Sequence, residues 1–497
     1  MTNLSICRDS SVTMNTATSE LWGKSGENWD PKGRLPDFSF AGYHSGEQSI
    51  PDHPRGISVI DFGAVGDGQT DNTKAFQQAI DECEGRVIEI PEGQYVIREI
   101  LWIQKPDIVL RGEGPSKTVI LPTTKLEAVR PSMSETADGL STSNYSWSGG
   151  FIWIKGDLQN ELITKITTDA VRGDRTLTVI NASGLSVGQV VTIQIEDSGD
   201  ASIIQHLYAD DPGENDDNLS FHRQTTLVSR IQLIDGERIT LERSLPFDIR
   251  PEWKAEVLTF APSVTECGIA DLSIEFPIEP YTGHFKELGM NGIAIEQAAH
   301  CWVRNVEIRN ADSGIFLESH FSTIDHLVLT SKRPKLQGDT GHHGVSFSSY
   351  AQDNLLQNFD FETRFIHDIT VENMACGNVA KLGKGPDLSL DHHRWCPNRN
   401  LFSQIDVGTG ESVWRFGGGP QRGKHTGRGA TFWGISSKQP ISHPGVQFGP
   451  AEVNFVGINS HVPSIRETDG LWWESIPLED LQPTDLHEAQ LKRRLVG

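Results

Sequence analysis

The alternation of apolar and polar positions divides the chain into short strands separated by polar turns. Residues 301–308 and 321–329 align at a spacing of roughly twenty residues, as solenoid repeats do. Residues 365–373 and 400–406 repeat the same pattern. Each alternates with period two, the pattern of a strand with one buried face. The spacing predicts stacked coils, with residues 434–459 as the final coil.

Residues 160–260 show a different organisation. Strand-like segments at 176–180, 190–195, 226–228 and 238–241 are separated by Gly- and Asp-containing turns. Short strands joined by such turns are typical of antiparallel sheets. The pattern predicts a small antiparallel β domain inserted between the coils.

The segment from Val59 to Ile80 combines a strand, a tight turn and a short helix. Gly63, Gly66 and Gly68 permit backbone angles closed to other residues. Asp71 or Thr70 is predicted to cap a helix that has one apolar face. That face consists of Ala75, Phe76, Ala79 and Ile80. Such a helix suits the covering of an exposed hydrophobic end.

The residues from Phe62 to Thr73 resemble the N-terminal signature of the pectate-lyase-like superfamily. Asn72 stands where the signature usually has a second Asp. Residues 86–95 and 108–114 are similar to the strands that follow it in that superfamily. The resemblance implies an all-β fold, a right-handed parallel β-helix with an N-terminal capping helix. It does not decide the activity, because the same cap precedes lyases, glycoside hydrolases, epimerases and phage tailspikes.

These patterns give a domain organisation in five parts. Residues 1–55 are predicted to be an arm packed on the solenoid, and 56–159 the cap with the first coils. Residues 160–260 form the inserted β subdomain, 261–465 the main β-helix with an active-site groove, and 466–497 a C-terminal tail or cap.

The charge distribution narrows the class of partner. The net charge of −24 disfavours nucleic acid and anionic membranes as partners. No apolar run reaches membrane-spanning length. Residues 196–217 carry eight acids and no Lys or Arg, and are predicted to be a solvated loop, with a calcium site as the alternative. Residues 381–428 form a basic island with three histidines.

Three clusters of ionisable residues, at 338–347, 383–395 and 411–425, are expected to line one side of the solenoid. Such a line suits an anionic sugar polymer, because Arg pairs with carboxylates and aromatic rings stack on sugars. The predicted catalytic residues are His392 or His393 as base, His343 in reserve, Arg394 or Arg415 as carboxylate neutraliser, and Lys384 in support. The predicted substrate-binding residues are Asp387, Asp391, Trp395, Trp414, His342, Arg422 and His425.

Three functions remain open on these residues. The favoured one is a polysaccharide lyase that cleaves a uronate-containing polymer by β-elimination, since histidine is a suitable base near neutral pH. A glycoside hydrolase needs paired carboxylates. Asp387 and Asp391 lie roughly 13 Å apart at strand rise, so a carboxylate from a neighbouring coil would be required. The third is a tailspike-like binder that grips polysaccharide without cutting it.

The candidate cofactor and assembly follow only from the resemblance, whereas the location is considered from the N-terminal residues. The resemblance to lyases of this fold, which are often calcium-dependent, implies calcium as a candidate cofactor. A homo-oligomer is a candidate because trimers are common among short β-helices. No secretory signal is evident at Met1–Asp9. A secreted or periplasmic protein is expected if a signal was removed, and a cytoplasmic one if the chain is complete.

Overall fold

The computed structural model describes residues 17–85, 87–136, 139–214, 218–467 and 470–496. Residues 1–16 of the predicted arm, 215–217 of the acidic stretch, 468–469 and 497 of the predicted tail, Arg86 and residues 137–138 lie outside this description. Within it, no helix is long and apolar enough to cross a membrane.

Parallel strands stacked in coils form the body of the molecule, and the predicted all-β class is confirmed. One sheet, here called the site sheet, has seven parallel strands, each contributed by a successive coil. These strands are Leu101–Ile103, Ile152–Lys155, Asn291–Ala299, Ser313–His320, Gly341–Phe347, Phe365–Val371 and Leu390–His392.

The remaining coil strands form a second array that bends around the core. Its strands pair in parallel from coil to coil, except that Ile465–Arg466 runs antiparallel to its neighbour. They are Ile57–Ser58, Asp67–Asp71, Val87–Glu89, Gly93–Ile97, Val109–Arg111, Thr118–Pro122, Gly268–Glu275, Trp302–Arg309, Thr323–Thr330, Leu355–Gln357, Asp360–Phe361, Val379–Lys384, Leu401–Asp406, Thr431–Ser436, Asn454–Ile458, Ile465–Arg466 and Trp472–Glu474.

The array turns a corner at a column of left-handed residues. Strand register stacks eight residues with φ between 53° and 69° directly above one another. A left-handed residue redirects the chain in a single step, and Asn, Asp and Gly adopt this conformation most readily. The column consists of Asp271, Asn305, His326, Asn358, Leu382, Gln404, Gly434 and Gly457.

A ladder of buried asparagines fixes the turns between the two sheets. The Asn378 Oδ1 accepts hydrogen bonds from the Asn354 backbone N–H and side-chain amide, at 3.0 and 2.9 Å. Asn400 accepts from Asn378 in the same way, at 3.0 and 3.1 Å. Since buried polar groups are stable only when hydrogen-bonded, the ladder holds successive coils in register.

The short helices and the other strands close the ends and cover the outside. The α-helices are Thr73–Glu82, Leu126–Val129, Ser202–Leu207 and Leu486–Val496. The 3-10 helices are Tyr43–Gly46, Val59–Phe62, Asn144–Ser146, Leu219–Phe221 and Pro420–Arg422. Two small sheets pair Ala17–Thr18 with Leu481–Gln482, and Met133–Glu135 with Ser141–Ser143.

The helix Thr73–Glu82 buries Phe76, Ala79 and Ile80 in the main core, as a cap does. The loop before it is held by Asn72, which is 1% exposed. The Asn72 Oδ1 accepts from the Val65 N–H at 2.6 Å. Its amide donates to the carbonyls of Val65 and Thr70, at 3.1 and 2.7 Å. One side chain therefore closes the whole turn.

Asn72→Ala is expected to lower the free energy of unfolding by about 1–3 kcal/mol, because it removes the three hydrogen bonds that this buried side chain makes within the turn. Urea unfolding followed by circular dichroism measures the change. Asn181→Ala is the matched control, since Asn181 is exposed and makes a single bond to the Ser183 N–H. Equal losses for the two variants would contradict this assignment.

Residues 162–259 form a six-stranded antiparallel sheet beside the coils. Its strands are Leu162–Lys165, Thr176–Thr178, Val190–Glu196, Gln224–Asp235, Arg238–Leu241 and Lys254–Thr259. Its hydrophobic core also includes Met374 and Cys396 from the β-helix. The buried Tyr208 hydroxyl accepts from the Cys396 N–H at 2.8 Å and donates to the Lys424 carbonyl at 2.9 Å. The inserted sheet is thereby fixed against the end of the site sheet.

Candidate active site

Five histidines and one aspartate meet on the outer side of the site sheet, and we call them the histidine cluster. They come from three successive coils and from the connection 276–290 that precedes the strand Asn291–Ala299. His343 and His367 occupy paired positions on neighbouring strands, and their rings stack with centroids 5.0 Å apart. The members are His284, His342, His343, His367, His393 and Asp391.

Asp391 is the centre of this cluster. Its Oδ2 lies 2.8 Å from the His393 Nδ1 and 3.1 Å from the His367 Nδ1. Its Oδ1 accepts from the Gly417 N–H at 2.9 Å. Burial would raise the pKa of Asp391, but His393 and His367 hold it well below its ordinary value. Asp391 is therefore an ionised carboxylate that orients both rings.

His393 is the member best placed to act on a ligand. Burial lowers its pKa, but the Asp391 carboxylate outweighs burial and leaves the pKa of His393 above its ordinary value. Its side chain keeps 15% of its surface exposed, whereas that of His367 keeps 4%. With Nδ1 bonded to Asp391, the Nε2 of His393 is left to exchange a proton.

Gly417 holds the ring of His393 from the other side. A Cβ added at Gly417 would lie 2.0 Å from the His393 Cε1, far closer than any side chain tolerates. Only glycine can therefore approach here while its N–H bonds to Asp391. Gly417 therefore packs directly against a protein ring.

A row of carboxylates continues along the site sheet from His393. Val371 pairs with His392, which places Glu372 beside His393 on the next coil. Glu296 and Glu318 pair in the same row further along. Burial raises the pKa of Glu318 to about 7, and Glu296 adds to the rise. Burial also raises the pKa of Glu372, although His393 opposes it.

A cleft of about 660 Å³ between the inserted sheet and the site sheet leads toward this row, with Glu318 and Tyr350 in its lining. The Tyr350 hydroxyl lies 3.0 Å from the Nδ1 of His222, whose ring meets that of Trp395 edge-on at 5.1 Å. The guanidinium of Arg422 stacks on Trp395 at 3.8 Å. His222 therefore connects Tyr350 in the cleft lining to Trp395 and Arg422.

The structure places several predicted site residues in supporting roles. Arg394 donates to backbone carbonyls of Gly418 and Gly423 and lies 3.0 Å from the His425 Nε2. His425 is buried, and its ring packs on Phe416. Arg415 binds Asp339 through two contacts, at 3.3 and 3.0 Å.

Asp387 also has a structural environment. Its carboxylate accepts hydrogen bonds from the Thr409 and Ser412 hydroxyls and from the Glu411 and Ser412 N–H groups. It lies 3.3 Å from Arg364, which in turn lies 3.6 Å from Asp339. Asp387 thus anchors the start of the loop that carries Arg415 and Gly417.

Three predicted site residues lie elsewhere, and the interpretation of them requires correction. His392 is 0% exposed, bonds to the Leu390 carbonyl and packs among Phe402, Phe432 and Phe448, where no substrate reaches. It faces inward because its neighbours Asp391 and His393 face outward on the same strand.

Lys384 lies on the other array, where it pairs with Asp360 at 3.0 Å and keeps 64% of its side chain exposed. Trp414 turns its ring toward Phe432, Phe448 and Phe455, and its indole N–H donates to the Ser442 carbonyl. Neither residue flanks His393.

Sequence reasoning missed four residues of this region: His367, His284, Glu318 and Glu372. His367 carried a usable signal, because it lies one coil after His343 in a segment already recognised as a repeat. His284 had no such sequence signal, because the connection 276–290 shows no alternation of apolar and polar residues from which its position could be predicted.

Two sets of donors in the cluster have spacings suited to a metal ion. One set is His284, His342 and His367, and the other is His367, Asp391 and His393. In the second set the histidine nitrogens already face the Asp391 carboxylate within 3.1 Å. Both sets are rich in imidazole, whereas calcium prefers oxygen ligands. The donors therefore do not fit the calcium that the family resemblance suggested.

Comparison with known proteins agrees with this architecture. Residues 56–235 match the family model described as "Rhamnogalacturonase A/epimerase, pectate lyase-like". This part of the chain is similar to the pectate-lyase-like superfamily, as the signature at residues 62–73 predicts. The match covers the cap, the first coils and much of the inserted sheet, so it identifies the fold without reaching the histidine cluster.

Similar proteins of known name differ in what they do. Alginate lyase 7 of Azotobacter vinelandii is 32% identical over 100 residues, which are 18% of this chain and 12% of that protein. The plasmin and fibronectin-binding protein A of Streptococcus pneumoniae is 34% identical over 142 residues, 26% of this chain and 18% of that protein. The chain thus matches less than a fifth of the length of either relative.

Among solved structures, the tailspike protein gp49 from Pseudomonas phage LKA1 aligns with 83% of this chain and 68% of its own, at 14% identity and a TM-score of 0.45.

Proposed function

We propose that this chain is a polysaccharide lyase that cleaves a uronate-containing polysaccharide by β-elimination, with His393 as the base. The observation that carries the proposal is the pairing of His393 with Asp391 in the same outward-facing row as Glu318 and Glu372. Proton abstraction from carbon needs a base with a fixed tautomer and an accessible nitrogen. Asp391 fixes the Nδ1 proton of His393, and the Nε2 remains to accept another.

Each part of an elimination has a candidate group next to His393. Arg422 stacks on Trp395, and the part of the chain that the structure describes shows no carboxylate within ion-pair distance of its guanidinium. It is therefore the cation best placed to receive a uronate carboxylate. The Trp395 ring beneath it offers an apolar face for a sugar. Glu372, beside His393, is the candidate acid.

The proposed reaction is a β-elimination. The His393 Nε2 takes the C5 proton of the uronate, and the C5–H electrons form the C4–C5 double bond. The C4–O bond breaks, and the departing oxygen takes a proton from the Glu372 carboxyl group. Arg422 stabilises the negative charge that develops on the uronate carboxylate.

Incubation with a panel of uronate polymers, followed by ultraviolet absorbance and reducing-end assays, tests the proposal. A lyase is expected to produce the absorbance of unsaturated uronate together with new chain ends. New reducing ends without that absorbance would overturn the elimination and indicate hydrolysis. Binding without either signal would indicate a non-catalytic binder. A neutral glucan serves as the control polymer.

Hydrolysis is the second candidate function, and the row of carboxylates that includes Glu318 favours it. A carboxyl group with a pKa near 7 is suited to be a general acid, and Glu318 has this property. Glu372 lies two coils from Glu318 in the same row, with Ser348 between them. The separation is roughly 9.6 Å at the spacing of neighbouring strands. This is near the upper end of the carboxylate separations of inverting glycosidases. If hydrolysis is observed, we expect Glu318→Gln to abolish it.

A further inference from the structure

Three imidazoles of the histidine cluster converge on one another. His342 and His367 come from adjacent coils, and His284 from the connection 276–290. One ring nitrogen of each lies within 4.8 Å of the others. The ring centroids of His284 and His342 are 4.6 Å apart, and those of His284 and His367 are 5.8 Å apart.

Two of the three rings, those of His367 and His342, have a carboxylate near one ring nitrogen. The Nδ1 of His367 lies 3.1 Å from Asp391, and the Nδ1 of His342 lies 3.6 Å from Glu287. Glu287 in turn accepts hydrogen bonds from the hydroxyls of Tyr281 and Ser146. In metal sites, a ligating histidine commonly directs its other ring nitrogen at a carboxylate, which fixes the ring and strengthens the ligand.

The ring nitrogens of His367 are not satisfied by hydrogen bonds within the described part of the protein. Among the described residues, neither of its two buried ring nitrogens has a hydrogen-bond partner, although the Nδ1 contacts Asp391 at 3.1 Å. Buried polar atoms nearly always have a partner, so each exception needs an explanation. Since the Nδ1 contacts Asp391, the Nε2 is the nitrogen left for a ligand shared with His284 and His342.

We propose that His284, His342 and His367 bind a divalent transition metal of the zinc class. Imidazole is a preferred ligand of such ions, and three protein ligands leave a fourth position open. The rings would close from their present spacing to roughly 3.4 Å between ligand atoms, the separation set by metal–nitrogen bonds of about 2.1 Å. His284 is exposed, so its side chain can make this adjustment.

The surrounding charges are compatible with a cation. Arg415 is a positive group near the cluster, and its guanidinium is bound bidentately by Asp339. Asp391 and Glu287 supply negative charge on two sides. A bound metal would tie the connection 276–290 to two coils of the site sheet. It would leave the pairing of His393 with Asp391 intact, because it uses the other nitrogen of His367.

Metal analysis of the full chain tests this site independently of the proposed activity. The purified protein is stripped with a chelator, dialysed against zinc, and analysed by inductively coupled plasma mass spectrometry. One zinc per chain is expected, together with a rise in melting temperature. Replacement by cobalt is expected to give the visible absorption of a tetrahedral nitrogen site. His284→Ala is expected to lose both the metal and the shift in melting temperature.

His461→Ala is the matched control, because His461 is an exposed histidine outside the cluster; it is expected to bind zinc as the parent chain does. His284→Ala should fold, since it removes an exposed ring. The proposal is overturned if the parent chain binds less than one zinc, or if His284→Ala retains it. Loss of zinc in His393→Gln with retention in His284→Ala would assign the metal to the other donor set and also overturn it.

Discussion

Replacing His393 with glutamine is expected to lower kcat on a uronate polymer by about 10²–10⁴-fold, the range for loss of a general base. Glutamine can still donate a hydrogen bond to Asp391, so the cluster keeps its packing while the nitrogen that accepts the proton is lost. Initial rates of unsaturated product give the effect. We expect the melting temperature to stay close to that of the parent chain.

Two further variants separate chemistry from structure. Gly417→Ala adds a Cβ 2.0 Å from the present His393 Cε1, so it should displace the ring and lower kcat without removing any ionisable group. His461→Gln replaces an exposed histidine and is expected to keep full activity. If His393→Gln retained the parental kcat, His393 would not be the base.

Asp353→Ala is expected to lower the free energy of unfolding by about 3–5 kcal/mol, the cost of leaving one partner of a buried ion pair alone. Asp353 binds Arg243 through two contacts, at 2.5 and 3.0 Å, and both side chains are buried. Arg243 belongs to the inserted sheet region and also stacks on Phe40 at 4.3 Å. This pair therefore joins the arm, the insertion and a coil turn.

Asp360→Ala provides the comparison for that measurement. Asp360 pairs with Lys384, whose side chain is 64% exposed. Exposed pairs contribute at most about 1 kcal/mol, because water screens them. Urea unfolding of both variants under the same conditions gives the contrast. Similar losses for Asp353→Ala and Asp360→Ala would show that the buried pair does not join the three parts.

The fold was predictable because its signals are local. The signature at 62–73 and the period-two alternation of the later coils both depend on residues close in sequence, and the structure has the expected cap and coils. The corner column was not predictable in detail. Leu382 and Gln404 occupy left-handed positions that propensity would not assign to them, because stacking on Asn358 and Gly434 decides their conformation.

The candidate site was predictable only in part, since it depends on which way side chains point. The segment 387–395 was correctly recognised as rich in ionisable groups, but alternation along one strand sends His392 into the core and His393 outward. The register that brings His367 to Asp391 needs the exact length of each turn, which a single sequence does not reveal. His284 arrives from a connection without any periodic pattern.

A crystal structure of the His393→Gln variant with a bound oligouronate shows directly whether the substrate lies at His393. We expect a uronate carboxylate on Arg422, a sugar face on Trp395, and the C5 atom within about 3–3.5 Å of the side chain at position 393, as a reactive geometry requires. If the oligosaccharide were bound on another face of the solenoid, with the region around Asp391 empty, His393 would not be the base.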